Sequence, residues 1–204
     1  HVYSEEMEHD ACGVGLIAST EGKKSRKVVE YGIEALKAVW HRGAVDADGK
    51  TGDGAGIHVE IPKDFFIEKI EVTGHTHDNS EICVGMIFLP RNDYAAQESC
   101  KTIVESELTK NDFSIYGWRQ VPVNPKVLGE KAFQTMPEII QVLFKSNNPE
   151  LLNKDLERKI YETRRIIENK AFKISLNNFY ICSLSSKSII YKGMFLAEAI
   201  SDFF

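Results

Sequence analysis

Residues Ile82–Leu89 read Ile-Cys-Val-Gly-Met-Ile-Phe-Leu, with no charged side chain among them. A half-buried strand alternates apolar and polar residues, so a strand without a polar face has to be covered on both sides. The run is too short to cross a bilayer, and Pro90 ends it. The chain must therefore place other elements on either side of this strand.

The surrounding pattern supplies them. Ser25 is placed to cap a helix on which Val29, Ile33, Leu36 and Trp40 recur on one face. Ile57, Val59 and Ile61 alternate with His58 and Glu60, as in a half-buried strand that Pro62 ends. The pattern predicts a short helix over Lys63–Ile70, a polar loop over Gly74–Ser80 and a helix over Tyr94–Leu108. A strand is predicted over Phe113–Val121, an irregular stretch over Val123–Met136 and a charged helix over Leu152–Phe172. Phe179–Leu184 and Ser188–Tyr191 read as a hairpin, and Gly13–Ser19 as a short strand. Strands and helices mix without strict βαβ alternation, which favours an α+β fold over a doubly wound sheet.

Composition narrows the function classes. The 204 residues are 43% hydrophobic and 27% charged, which is ordinary globular usage. The net charge is -5, and the single basic cluster, Lys23, Lys24, Arg26 and Lys27, reads as a solvated helix start. Neither a nucleic-acid partner nor a membrane partner is expected. The four cysteines, Cys12, Cys83, Cys100 and Cys182, are far apart and form no CxxC pair. That spacing argues against a metal site and against a disulfide framework, and it points to thiols in a reducing, cytoplasmic compartment. The chain opens on His1 rather than Met, and a helix that starts near Met194 stops at Phe204, so a fragment of something longer is expected.

Gly43–Thr51 comes close to the phosphate-binding pattern GxxxxGK[ST], but five residues separate its glycines rather than four. The loop also follows a helix and precedes a strand, whereas a phosphate cradle runs from a strand into a helix N-terminus. Asp46 and Asp48 would repel a phosphate, so the loop is read as structural and close to the active centre. His75 and His77 read as solvated loop residues, His41 and His58 lack a motif-level partner for a Cys–His dyad, and His9 lies in the segment before Cys12.

Cys12 heads an apolar run, where a cysteine is more often a packing residue. Gly13 and Gly15 permit close approach, and Ala11-Cys12 has the form of a trimming site. Were residues 1–11 removed, Cys12 would gain an α-amine with a pKa of roughly 8. That amine could take the thiol proton and later return it to a leaving amine, so one residue would supply both nucleophile and base. Before cleavage the same nitrogen is an amide and cannot act as a base.

Asp10-Ala11-Cys12-Gly13-Val14-Gly15, together with the long string from His41-Arg42-Gly43 to Gly54-Ala55-Gly56-Ile57, resembles the amino-terminal glutaminase domain of the glutamate synthase large subunit. Tyr191-Lys192-Gly193-Met194 is similar as well. The resemblance implies an α+β N-terminal-nucleophile hydrolase fold, a four-layer αββα sandwich with antiparallel sheets, incomplete at its C-terminal end. It implies a propeptide-like segment over residues 1–11, and the N-terminal part of a glutamine amidotransferase type 2 domain over residues 12–204. It implies hydrolysis of L-glutamine to glutamate and ammonia through a γ-glutamyl thioester on Cys12, with Gly13, Arg42 and Gly43 supporting the pocket.

The same resemblance implies passage of ammonia to a synthase site acting on 2-oxoglutarate elsewhere in the polypeptide. FMN, an iron–sulfur cluster and a small electron-donating subunit are implied for the full-length protein, and no cofactor for this segment. The family's oxyanion-hole Asn-Gly pair has no match here, since Asn147-Asn148 and Asn177-Asn178 differ from it. One missing oxyanion donor typically costs about 10²–10³ in rate, so the segment alone is expected to be nearly inactive. Two alternatives stand beside this reading. One is a class II amidotransferase of the purine- or amino-sugar-forming kind. The other is a non-catalytic binding or assembly module of the same fold.

Overall fold

A computed structural model describes residues 12–39, 43–78 and 80–204. In chain order the helices are α1 (Arg26–Ala38), α2 (Lys63–Val72), α3 (Tyr94–Lys110), α4 (Glu130–Thr135), α5 (Asn153–Lys173) and α6 (Ile200–Phe203). The strands are β1 (Thr51–Glu60), β2 (Cys83–Leu89), β3 (Phe113–Gln120), β4 (Glu138–Ser146), β5 (Tyr180–Ser185) and β6 (Ser188–Phe195). They form two compact units: His58–Val123 with Thr135–Tyr191, and the described part of His1–Ile57 with Asn124–Gln134 and Lys192–Phe204.

The first unit is built on a four-stranded antiparallel sheet in the order β3-β4-β2-β5. The apolar strand anticipated from the sequence is β2, and it lies inside the sheet with both edges paired. Its neighbour β4, whose positions from Ile139 to Phe144 are all buried, had no counterpart in the sequence reading. Cys83, Ile87 and Leu89 of β2 join Ile140, Val142 and Phe144 of β4 in one apolar cluster with α3 and α5. Asp93 caps α3 by accepting the Ala96 amide at 2.9 Å, and Cys100, Val104 and Leu108 then face the cluster at helical spacing. On α5 the same role falls to Leu156, Ile160 and Ile167, while Leu152, expected on that face, stands exposed just before the helix.

Charged groups fasten this core at its rim. The buried Glu107 carboxylate accepts from Lys170 at 2.5 Å and from Lys110 at 3.3 Å, and the Lys170 hydrogen bond holds the carboxyl below its ordinary range. Glu157 accepts from the Ser185 hydroxyl at 2.9 Å and from the Ser186 amide and hydroxyl at 2.7 Å each.

That turn departs from the expected hairpin. β5 pairs with β2, whereas β6 pairs with β1 in a separate two-stranded sheet. The Ser183 hydroxyl accepts the Ile190 amide at 3.2 Å, which takes the place of a ladder bond between the two strands.

In the second unit α1 starts where expected, with the Ser25 hydroxyl accepting the Lys27 amide at 3.2 Å. Val29, Ile33 and Leu36 are half-buried along one face, and the Lys37 ammonium donates to the Ser201 hydroxyl at 3.2 Å. Phe195, Phe203 and Phe204 stack against one another, with ring centroids 4.8–6.2 Å apart. The stretch read as irregular contains α4 and a single 3₁₀ turn at Pro125–Val127. Gly13–Ser19, expected as a strand, has no regular structure, because no described strand pairs with it. Its apolar side chains lie open to solvent, Val14 at 92% and Leu16 at 90% exposure.

The central cluster sets the stability of the first unit. Ile160 is fully buried within it, and Ile160→Ala is expected to destabilise the protein by about 2–5 kcal/mol through lost burial and a residual cavity. Urea unfolding followed by tryptophan fluorescence measures the change, and a loss below about 1 kcal/mol would show that the site collapses around the gap.

Candidate active site

The residues singled out by the sequence fall on the N-terminal segment and on the glycine- and aspartate-rich loop. Cys12 is exposed and makes no hydrogen bond to another described residue. Gly13 beside it is half-buried, and Gly43 is an exposed bend. Arg42, assigned a supporting role, lies outside the described residues, as do His41 and residues 1–11. Cys83 and Cys100 are buried, and burial pushes both thiols up, Cys100 to about 11, which leaves them unreactive as nucleophiles.

The loop after Gly43 is a closed hairpin turn. Val45 bridges Gly52, and the Asp53 amide donates to the Ala44 carbonyl at 3.2 Å. The Asp46 amide donates to the Thr51 carbonyl, and the Gly49 amide to the Asp46 carbonyl, both at 2.9 Å. Gly49 sits at φ 70, a left-handed value that costs glycine nothing. The half of the loop from Thr51 onward is therefore strand β1 rather than coil, and the turn is confined to Asp46–Lys50.

Two aspartates hold the turn shut. Asp48 accepts the Thr51 hydroxyl at 2.6 Å, the Thr51 amide at 2.7 Å and the Lys50 amide at 2.9 Å, and these bonds hold its carboxyl well below the usual range. Asp46 accepts the Lys131 ammonium and the Ala47 amide at 2.7 Å each, and Lys131 lowers its carboxyl in turn. The rejection of a phosphate cradle agrees with this geometry. The loop runs from α1 into β1, and its amides are occupied by its own aspartates.

Lys131 was absent from the sequence reading. It lies in the first turn of α4, between Gly129, which precedes the helix, and Ala132, whose amide donates to the Thr51 hydroxyl at 3.3 Å. Gly129 is the trace of that contact visible in the sequence. A Cβ there would overlap the Asp48 carboxylate and the Thr51 side chain and stand 2.6 Å from the Thr51 amide nitrogen.

Of the histidines, His75 and His77 lie in the loop after α2. His75 exchanges a hydrogen bond with the Thr73 hydroxyl at 3.0 Å, and His77 meets the Ser80 carbonyl at 3.0 Å. Asp78 beside them pairs with Lys145 and accepts the Ser80 hydroxyl at 2.6 Å. Among the described residues, no group of three or more His, Cys, Asp or Glu side chains could hold a metal ion. No helix among them is long and apolar enough to cross a membrane.

Comparison with known proteins brings these features together. The profile described as "Glutamine amidotransferases class-II" matches residues 12–204, beginning on Cys12. The chain is 55% identical over 204 residues to the glutamate synthase [NADPH] large chain of Azospirillum brasilense, covering 100% of this chain and 13% of that one. It is 40% identical over 199 residues to ferredoxin-dependent glutamate synthase 1, chloroplastic/mitochondrial, of Arabidopsis thaliana, covering 97% and 12%. It is likewise 40% identical over 207 residues to ferredoxin-dependent glutamate synthase of Pyropia yezoensis, covering 98% and 13%. The chain thus spans about an eighth of the length of these relatives.

The turn carries its own test. Asp48→Ala is expected to speed amide exchange at Lys50 and Thr51, read by hydrogen–deuterium exchange, while exchange in β2 and β4 stays unchanged. Because the folded-state pKa of Asp48 is lowered, its contribution is complete above the unfolded carboxyl pKa of about 4. It is lost only as the pH falls through the lowered value. Between about pH 5 and 7, exchange at these two amides, corrected for intrinsic rates, is therefore expected to stay flat.

Proposed function

The chain belongs to the class II glutamine amidotransferases, and we propose that it is the glutaminase part of a glutamate synthase. The observation that carries the proposal is identity of 55% along the whole chain to one glutamate synthase, together with a family match that starts at Cys12. A purine- or amino-sugar-forming amidotransferase is the weaker reading, because the relatives at this identity are named glutamate synthases.

In this reading residues 1–11 are a propeptide, and residues 12–204 belong to a glutamine amidotransferase domain with the four-layer αββα arrangement. After cleavage the Cys12 α-amine takes the thiol proton, and the thiolate attacks the side-chain carboxamide carbon of L-glutamine. The tetrahedral intermediate collapses as the α-ammonium returns the proton to the leaving nitrogen, and ammonia departs. The product is a γ-glutamyl thioester on Cys12. Water, deprotonated by the same amine, attacks the thioester carbonyl, glutamate leaves and the thiol is restored. Gly13, Arg42 and Gly43 line and order the pocket around the reacting sulfur.

Ammonia then passes to a synthase site acting on 2-oxoglutarate in the rest of the polypeptide. FMN and an iron–sulfur cluster belong to that part of the protein and supply its redox chemistry, and a small subunit supplies electrons. A reducing, cytoplasmic compartment keeps Cys12 as a thiol.

The test uses the intact protein. Amino-terminal sequencing and intact mass are expected to place the mature N-terminus at Cys12, and Cys12→Ala is expected to abolish glutamine-dependent activity. Undiminished glutamine-dependent turnover by the alanine variant would refute the proposal. A mature protein retaining residues 1–11, without reaction of Cys12 with a glutamine-analogue electrophile, would favour the non-catalytic module.

A further inference from the structure

The Asp46–Thr51 turn is fastened to a segment about eighty positions away. Within the turn, Asp48 already collects the Thr51 hydroxyl and two amides. The added ties are the Lys131–Asp46 ion pair at 2.7 Å, the Ala132 amide on the Thr51 hydroxyl at 3.3 Å, and the close seat of Gly129 against Asp48 and Thr51. The Thr51 hydroxyl takes part in both sets, donating to Asp48 and accepting from Ala132, and Thr51 is buried.

The geometry fixes more than the turn. Ala44 and Val45 are paired to Asp53 and Gly52, so the backbone leaving Gly43 inherits whatever position the turn has. Gly43 is one of the residues placed in the glutamine pocket above, and the inference rests on that reading. We infer that Thr51, Gly129 and Lys131 are positioning residues of the glutaminase, which hold the backbone at Gly43 where glutamine binding requires it. None of the three touches the reacting atoms in this account. They act through the register of the hairpin, and misplacement by about 1 Å at such a position costs up to roughly 100-fold in rate.

The experiment measures glutaminase kcat and KM in the intact protein for Thr51→Val, Thr51→Ser and Lys131→Met. Thr51→Val keeps the shape and removes both hydroxyl bonds, and kcat/KM for glutamine is expected to fall roughly 10- to 100-fold, mainly through KM. Thr51→Ser restores the hydroxyl and is expected to return KM to within about twofold of the parent. Lys131→Met removes the exposed ion pair to Asp46 and is expected to raise KM by a smaller factor in the same direction. An unchanged KM in Thr51→Val, with a lowered thermal midpoint alone, would overturn the inference, as would equal losses in the valine and serine variants. Should Thr51→Val fail to fold, Lys131→Met decides on the same KM criterion. Cys12→Ala separates the two readings. If it stays active the glutaminase proposal itself fails, whereas an inactive Cys12→Ala beside an unchanged Thr51→Val rejects only the positioning role.

Discussion

A strand with no polar face, Cys83–Leu89, has to be paired at its edges and covered, and in the first unit both edges are paired and the face that carries Cys83, Ile87 and Leu89 lies under α3 and α5. β4 and β5 take its two edges, and α3 and α5 bring Cys100, Val104, Leu108, Leu156, Ile160 and Ile167 against the sheet. Closing helices over a dry sheet also buries polar groups, which cost stability unless partnered. Glu107 is buried between the two helices and is met by lysines from both of them, Lys110 on α3 and Lys170 on α5. Glu157 reaches from α5 to the turn after β5 and satisfies both serines there. Every buried side-chain nitrogen or oxygen among the described residues has a partner.

The elements that the sequence revealed are those whose signal is local. Ser25 before an amphipathic run, the helical run from Tyr94, and an unbroken apolar run each carry their structure in a few adjacent residues, and α1, α3 and β2 formed where expected. Glu138–Ser146 escaped, although Pro137 precedes it and Asn147-Asn148-Pro149 follow it, because Gln141 interrupts an apolar run that otherwise resembles β2. Inside the sheet that glutamine is satisfied across the strand by Arg119, whose Nη1 donates to its Oε1 at 2.8 Å. The hairpin after Phe179 was right in its strands and wrong in its pairing. Turn residues reveal a reversal of direction, but a strand's ladder partner is chosen by contacts far away in sequence. Gly13–Ser19 has strand composition, yet composition supplies no partner, and an unpaired strand has nothing to hold it extended.

The candidate site divides in the same way. Cys12 and the string around Gly43 were legible as motifs, because nucleophile chemistry and tight turns each demand particular residue types at fixed spacing. The ties from Gly129, Lys131 and Ala132 to that turn were not, since a lysine and a glycine in a stretch without periodicity say nothing about a loop some eighty residues earlier. Arg42, read from the motif as pocket support, lies outside the described residues, so its role rests on the resemblance alone.

An aspartate-rich turn brings two carboxylates close together, and an uncompensated like charge disfavours the charged form of each. The turn resolves this by committing both carboxylates to partners. Asp46 is matched by the Lys131 ammonium, and Asp48 spends its lone pairs on one hydroxyl and two amides. Their lowered pKa values follow from the same bonds, so neither group exchanges protons near neutral pH and neither competes with the α-amine that serves Cys12 in the proposed mechanism. A hairpin closed on its own acids and pinned at one threonine hydroxyl therefore keeps one shape and one charge state near neutral pH.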